Sequence, residues 1–213
     1  MAKTVRLGAG SGFSGDRIEP AVDLARDGGL DYLVLECLAE RTIAIAQLAK
    51  LDNPDAGFDP LIERRFRAAL PFCARQGVKI VTNMGAANPL AAARRVAVLC
   101  RELGYADQRV AAVTGDDVLD ILLNEDSEIV ETGLRASDMR DTLVSANAYL
   151  GARPIAAALD AGATIVVTGR VSDPALFLGP LLHEFGWRDD DWAMLGRGVM
   201  AGHLLECAGQ ITG

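Results

Sequence analysis

One recurrent unit constrains this chain more than any other feature. A short apolar run ends in a turn rich in glycine or asparagine, and a longer amphipathic stretch follows. Such runs occur at 5–8, 31–36, 78–83, 109–114 and 163–168. They are too short for helices and apolar on both faces, as strands inside a covered parallel sheet must be. The stretches at 16–27, 38–50, 61–76, 89–103, 153–161, 174–185 and 198–207 read as helices. Asp16 is placed to cap the first of them, Pro89 to open the fourth, and Ser172 or Asp173 to cap the helix that Pro174 begins. Strand–helix alternation of this kind predicts an α/β fold: a three-layer, doubly wound, mostly parallel sheet of about five strands. A partial (β/α) barrel shares the periodicity and is the alternative.

With 213 residues, half of them hydrophobic, the chain reads as a single α/β domain over 1–213. Its net charge of −8 argues against a nucleic-acid or anionic-membrane binder, which needs a basic face. No apolar run approaches the ~20 residues of a spanning helix, and no signal-peptide core is evident, so a cytoplasmic protein is expected. The four cysteines, Cys37, Cys73, Cys100 and Cys207, lack zinc spacing and read as buried small hydrophobes in a reducing compartment. No metal site is expected. The segment 115–141 carries nine acids against two bases, a net −7, and reads either as a solvated surface or as a lid, partner surface or cation site. The last residues stop without a polar tail, as in a piece of a longer protein.

Ligands of open parallel sheets bind beyond the carboxyl ends of the strands. Polar residues gather there after every run: the glycine-rich stretch 8–16, then Glu36 and Cys37, then Asn83, Gly85 and Asn88, then Asp116 and Asp117, then Thr168, Arg170, Ser172 and Asp173. The opposite ends carry ordinary residues such as Lys79 and Arg109. Gly10, Gly12 and Gly15 form a GxGxxG match, with Glu36 in the place of a ribose-binding acid. Asp16 sits poorly with a pyrophosphate there, so NAD(P) is the lesser reading. Gly10, Ser11, Gly12 and Ser14 are instead expected to offer N–H and hydroxyl groups to another phosphate or carboxylate. Arg170 beside Ser172 and Asp173 is a second expected anion site.

His183 and His203 lie in late helices, away from the strand ends, so a Ser–His–Asp triad is not expected. Lys3, Lys50 and Lys79 lie away from the ligand-side turns, which disfavours Schiff-base chemistry. Carboxylates remain. Glu36 and Asp116, taken as converging across neighbouring strands, are the candidate proton-handling pair. Cys37 has nothing nearby to lower its pKa.

Seven stretches, taken together, resemble one family. They are 8–17 (GAGSGFSGDR), 31–40 (DYLVLECLAE), 82–89 (TNMGAANP), 113–117 (VTGDD), 145–151 (SANAYLG), 168–174 (TGRVSDP) and 203–210 (HLLECAGQ). The combination is similar to the N-terminal part of the acyclic terpene utilisation (AtuA) family, whose members are longer. The resemblance implies a place in the catabolism of citronellol- and geraniol-type terpenes through CoA thioesters, and carries no catalytic residue over. The leading expectation is a metabolic enzyme, or part of one, acting on a carboxylate or acyl-CoA-type metabolite. A CoA-type ligand is expected, and a homo-oligomer is compatible with the sequence. The alternatives are a nucleotide- or CoA-binding module without chemistry of its own, and a structural partner in a multienzyme assembly that docks through 115–141.

Overall fold

A computed structural model describes residues 3–211. In chain order the elements are β1 (Leu7–Gly12), α1 (Glu19–Asp27), β2 (Tyr32–Glu36), α2 (Glu40–Asp52), α3 (Ile62–Gln76), β3 (Lys79–Thr82), α4 (Pro89–Glu102) and β4 (Val110–Val113). Then come α5 (Leu119–Asn124), a small hairpin of β5 (Glu128–Ile129) and β6 (Leu134–Arg135), α6 (Arg153–Asp160), β7 (Ile165–Thr168), α7 (Ala175–Phe185) and α8 (Trp192–Glu206). The main sheet has five strands in the order β1-β2-β3-β7-β4, and every pairing in it is parallel. β1 and β4 are its two edges, so the sheet is open and the barrel alternative does not hold.

Alternation along the strands assigns side chains to two cores. Leu33, Leu35, Ile80, Ile165 and Val167 pack with α1, α3 and α4 on one face. Tyr32, Val34, Val81, Val113 and Val166 pack with α6 and α7 on the other, where Leu195 and Leu205 of α8 join them. This is the expected three-layer α/β arrangement. α2 belongs to neither face. It lies across the carboxyl edge of the sheet, and Ala46 is its only buried residue. β7 enters the sheet between β3 and β4. β3 therefore leads into α4 on one face, and the adjacent β7 into α7 on the other. Their carboxyl ends flank the crossover where open α/β sheets place ligands.

Several local expectations need correction. β1 does not end at Gly8 but runs on through Gly12, because its glycines are packing positions. A Cβ at Gly10 would stand 2.9 Å from both Ala21 Cβ and Leu35 Cδ2, and one at Gly12 would stand 2.3 Å from the Cys207 carbonyl oxygen. α1 starts at Glu19, where Pro20 fits its first turn. Asp16 turns back instead, accepting from the Gly12 and Arg17 N–H groups. Neither Ser172 nor Asp173 caps α7 with its side chain, since the Asp173 carboxylate is taken by Arg170. α8 begins six residues earlier than 198, where Asp191 accepts from the Met194 N–H. Cys207 is exposed, whereas the other three cysteines are buried. The acidic segment forms α5, the hairpin and a 3-10 turn, mostly exposed, with Asp116 buried at its start. Among the described residues, no helix is long and apolar enough to cross a membrane.

Candidate active site

Every buried polar or charged side chain among the described residues, Tyr32 apart, lies at or beside the carboxyl edge: Ser11, Glu36, Asp59, Arg65, Thr82, Asn83, Asp116, Thr168, Arg170 and Glu206. Helix caps and turns alone leave such groups in water. Burial costs free energy unless hydrogen bonds replace the lost hydration, so the concentration at one edge marks a built cluster.

Glu36 stands at the centre of it, at the end of β2 and 7% exposed. Asn83, just past β3, organises its surroundings. Asn83 Nδ2 donates to Glu36 Oε1 at 2.9 Å, and its Oδ1 accepts the Cys37 N–H at 2.7 Å. The Leu38 N–H donates to the same Glu36 oxygen at 2.8 Å. Glu36 Oε2 accepts no hydrogen bond among the described residues, so one oxygen is fixed and the other is left for a proton. Burial pushes the carboxyl up to about 7. The Asn83 and Leu38 hydrogen bonds offset only part of that, and the negative charge of Asp173 adds to it.

Arg170, 2% exposed, is the cation of this cluster. Its Nη2 donates to Leu38 O at 2.9 Å and to Asp173 Oδ1 at 2.8 Å, and its Nε to Val171 O at 3.2 Å. The Tyr149 ring covers the guanidinium, with its centroid 4.6 Å from Cζ. Together with Glu40, Ile43, Ala44, Ser145 and Asn147, Arg170 and Tyr149 line a recess of about 220 Å³ whose walls are mixed, with more apolar than polar surface. Asp116 does not converge with Glu36. β3 and β7 separate their strands, roughly 14 Å at the usual strand spacing. Asp116 Oδ2 instead accepts the Arg170 N–H at 2.8 Å and Asn147 Nδ2 at 3.1 Å, which fixes the loop carrying Arg170. A Cβ at Gly85 would stand 2.4 Å from Thr168 O, so backbones touch across the crossover and Gly85 is a contact rather than a cradle.

Glu36 and Cys37 point to opposite faces of the sheet edge. On the Cys37 side, beneath α2, lies a cleft of about 350 Å³. Leu38, Ile45, Ala46, Ala49, Phe58 and Pro60 form its apolar walls, and Ser14, Cys37 and Asp59 bring polar groups to it. Ser11 is buried behind Cys37, with its Oγ 3.2 Å from the sulfur and donating to Glu36 O at 3.0 Å. Burial raises the Cys37 thiol far above its usual range, so it is a neutral packing group, not a nucleophile.

The glycine-rich stretch is not an anion loop at a helix start. Gly10, Ser11 and Gly12 are strand residues, and the Gly12 N–H is already engaged by Asp16. That geometry removes the basis for a dinucleotide reading of GxGxxG. Of this group only Ser14 lines the cleft, near Asp59, whose carboxyl burial raises and Ser14 draws back down in part. Ser172 is half-buried and accepts the Ala175 N–H through its backbone carbonyl at 2.8 Å. Lys50, expected away from the ligand side, reaches that side because α2 crosses the edge. Its Nζ donates to Ala87 O at 2.9 Å and lies 3.9 Å from Asp117.

Sequence reasoning missed Arg65 and Asp59. Arg65, 1% exposed, clamps the turn after β1 through the carbonyls of Asp16 (2.8 Å) and Ser14 (3.0 Å), with longer contacts to Phe13 and Arg17. Its one sequence signal is position. It shares the apolar stripe of Ile62, Phe66, Ala69, Leu70 and Cys73 in α3. Glu206, at the end of α8, was missed as well. Burial raises its carboxyl, and His203 Nδ1 lies 2.9 Å from one oxygen. Among the described residues, no group of three or more His, Cys, Asp or Glu side chains is arranged to hold a metal ion.

Residues 5–213 match the model of one family, described as acyclic terpene utilisation family protein AtuA. No curated protein and no solved structure matches the chain.

Proposed function

The chain belongs to the acyclic terpene utilisation family AtuA, and from that premise we propose that it acts as a metabolic enzyme, or part of one, on a carboxylate or acyl-CoA-type metabolite. The observation that carries this reading is Glu36: a carboxyl with one oxygen fixed, the other unpaired, and a pKa of about 7. Such a group exchanges protons near neutrality without large cost in either direction, which suits general acid–base chemistry. In this reading Glu36 handles the proton and Asn83 orients it. Arg170, in the recess under Tyr149, attracts the anionic part of the ligand, and Asp173 and Asp116 position Arg170. The apolar cleft beneath α2 takes aliphatic carbon.

Two measurements test the reading. A thermal-shift assay with coenzyme A and a branched acyl-CoA should show stabilisation, about 2.7 kcal/mol at a hundredfold excess over Kd. Arg170→Ala should lose that shift, and Glu36→Gln should keep it. Carbon NMR of the labelled carboxyls should find Glu36 titrating near 7. Titration at its ordinary value of 4.5 would remove Glu36 from the chemistry. Cooperative melting indifferent to both CoA species would overturn the ligand class.

A further inference from the structure

The β4 side of the molecule carries two features that the active edge does not use. The first is an open face. β4 is an edge strand, and its Val110, Ala111 and Ala112 stay half-buried. α4 lies beside it, sharing one core with Val110 and Ala112. On the side of α4 away from that core, Leu90, Arg94, Ala97 and Arg101 fall in one row at helical spacing. Leu90 and both arginines are exposed. Arg67 and Arg95 nearby are balanced by Glu63 and Glu102, whereas neither Arg94 nor Arg101 has an ion pair among the described residues. The second feature is an arm. The segment 117–144 follows the carboxyl end of β4, and Ala136 is its one buried residue. It carries eight acids against Arg135 and Arg140. Asp126 is paired with Arg135, and Asp117 stands near Lys50. Asp120, Glu125, Glu128, Glu131 and Asp141 have no cationic partner among the described residues. Val130, in the turn of the hairpin, is 86% exposed, and Leu134 is exposed beside it.

Each feature supplies what the other lacks. The arm offers acids and apolar side chains, and the α4 row offers arginines and Leu90. An edge strand left open is a liability that proteins usually cover. The net charge of −8 makes copies of this chain repel one another in most orientations. Contact between the arm and the α4 row reverses that sign, so charge selects this orientation over the others. The geometry closes as well. The arm and the α4 row border the same strand, so a two-fold axis beside β4 lets each copy give its arm and receive the other's. We propose that α4 and the β4 edge form a dimer interface, on which the acidic segment 117–144 of a second copy docks reciprocally.

The proposal goes beyond the proton handling assigned to Glu36 and does not rest on it, so the two are tested separately. Sedimentation velocity of the full chain over a concentration series should show a dimer at low salt. At about 1 M salt, where charges are screened within about 3 Å, its Kd should weaken at least about tenfold. Arg94→Glu with Arg101→Glu should weaken the low-salt dimer by a similar factor, and so should Glu128→Lys with Glu131→Lys. All four positions are exposed, so both variants should still melt cooperatively. An equimolar mixture of the two should restore the dimer, because each reversed face then meets a reversed arm. A local folding defect would not be repaired by mixing. A monomer at every concentration in low salt overturns the proposal. So does a dimer indifferent to both charge reversals, or a mixture that stays monomeric.

Discussion

The two ends of the sheet use the same residue types to opposite effect. At the carboxyl edge, Glu36 meets mainly neutral donors, and the nearest guanidinium is shared with Asp173 and backbone carbonyls. Burial wins, and the carboxyl rises to about 7. At the amino edge, Glu184 of α7 is partly buried too, but Lys3 and Tyr32 donate to it and Lys79 stands 3.5 Å away. Burial alone would raise it. The hydrogen bonds from Lys3 and Tyr32 and the charge of Lys79 outweigh that and leave it at about 2. Lys79 also lies 3.3 Å from His183 Nε2, whose Nδ1 is 2.5 Å from Asp160. What sequence presented as an ordinary end is therefore a paired staple between β2, β3 and α7. The difference teaches that burial alone does not define a reactive acid; what decides is whether a full positive charge comes with it.

The largest effect on the carboxyl edge is expected from removing Arg65, one of its two buried cations, the other being Arg170. Arg65→Met keeps the volume but strips the turn after β1 of its donors. It should cost about 3–5 kcal/mol in urea denaturation and expose 13–17 to protease. A loss below about 1 kcal/mol would show the clamp to be dispensable. Next comes Glu36→Gln. A raised native pKa means the folded chain holds a proton that the unfolded chain has lost. Stability therefore falls as pH rises from about 4.5 to about 7. The amide keeps an acceptor for Asn83 and Leu38, so the variant should gain about 3 kcal/mol above that window and lose the pH slope. An unchanged slope in chemical denaturation would contradict the raised pKa. The smallest effect is expected at the other edge. Glu184→Gln should cost about 2 kcal/mol near neutrality through weakened charged hydrogen bonds. Because the Glu184 pKa is lowered, its contribution is present above 4.5 and is lost as pH falls towards about 2. Neutral-pH stability equal to that of the unaltered chain would make the staple incidental.

Much of this contrast was legible before any coordinates. Apolar runs with polar carboxyl ends gave the parallel sheet, its layers and the edge to watch, and Glu36, Asn83 and Arg170 were read at the right strand ends. Their partners were not legible. A four-residue apolar strand carries no mark of its neighbours, so the sequence does not reveal the insertion of β7 and places Glu36 and Asp116 on adjacent strands, which they are not. The glycines of β1 misled because a glycine required by close packing against Leu35 or Cys207 reads like one required by a turn. Arg65 was hidden for a related reason: arginines usually face solvent, and only tertiary packing turns this one inward.

The order β1-β2-β3-β7-β4 also has a consequence in time. β4 pairs with β7 alone, so a chain growing from its amino end completes β4 some fifty residues before β4 has a partner. During that interval β3 presents an unpaired edge beside an empty slot, and Val110–Val113 is an orphan strand. Closure of the sheet waits for a single late insertion that must enter between two existing neighbours. Such non-local pairing is slow to form. The same insertion that creates the crossover at the active edge therefore sets the moment during synthesis when this chain is most prone to pair with another copy of itself.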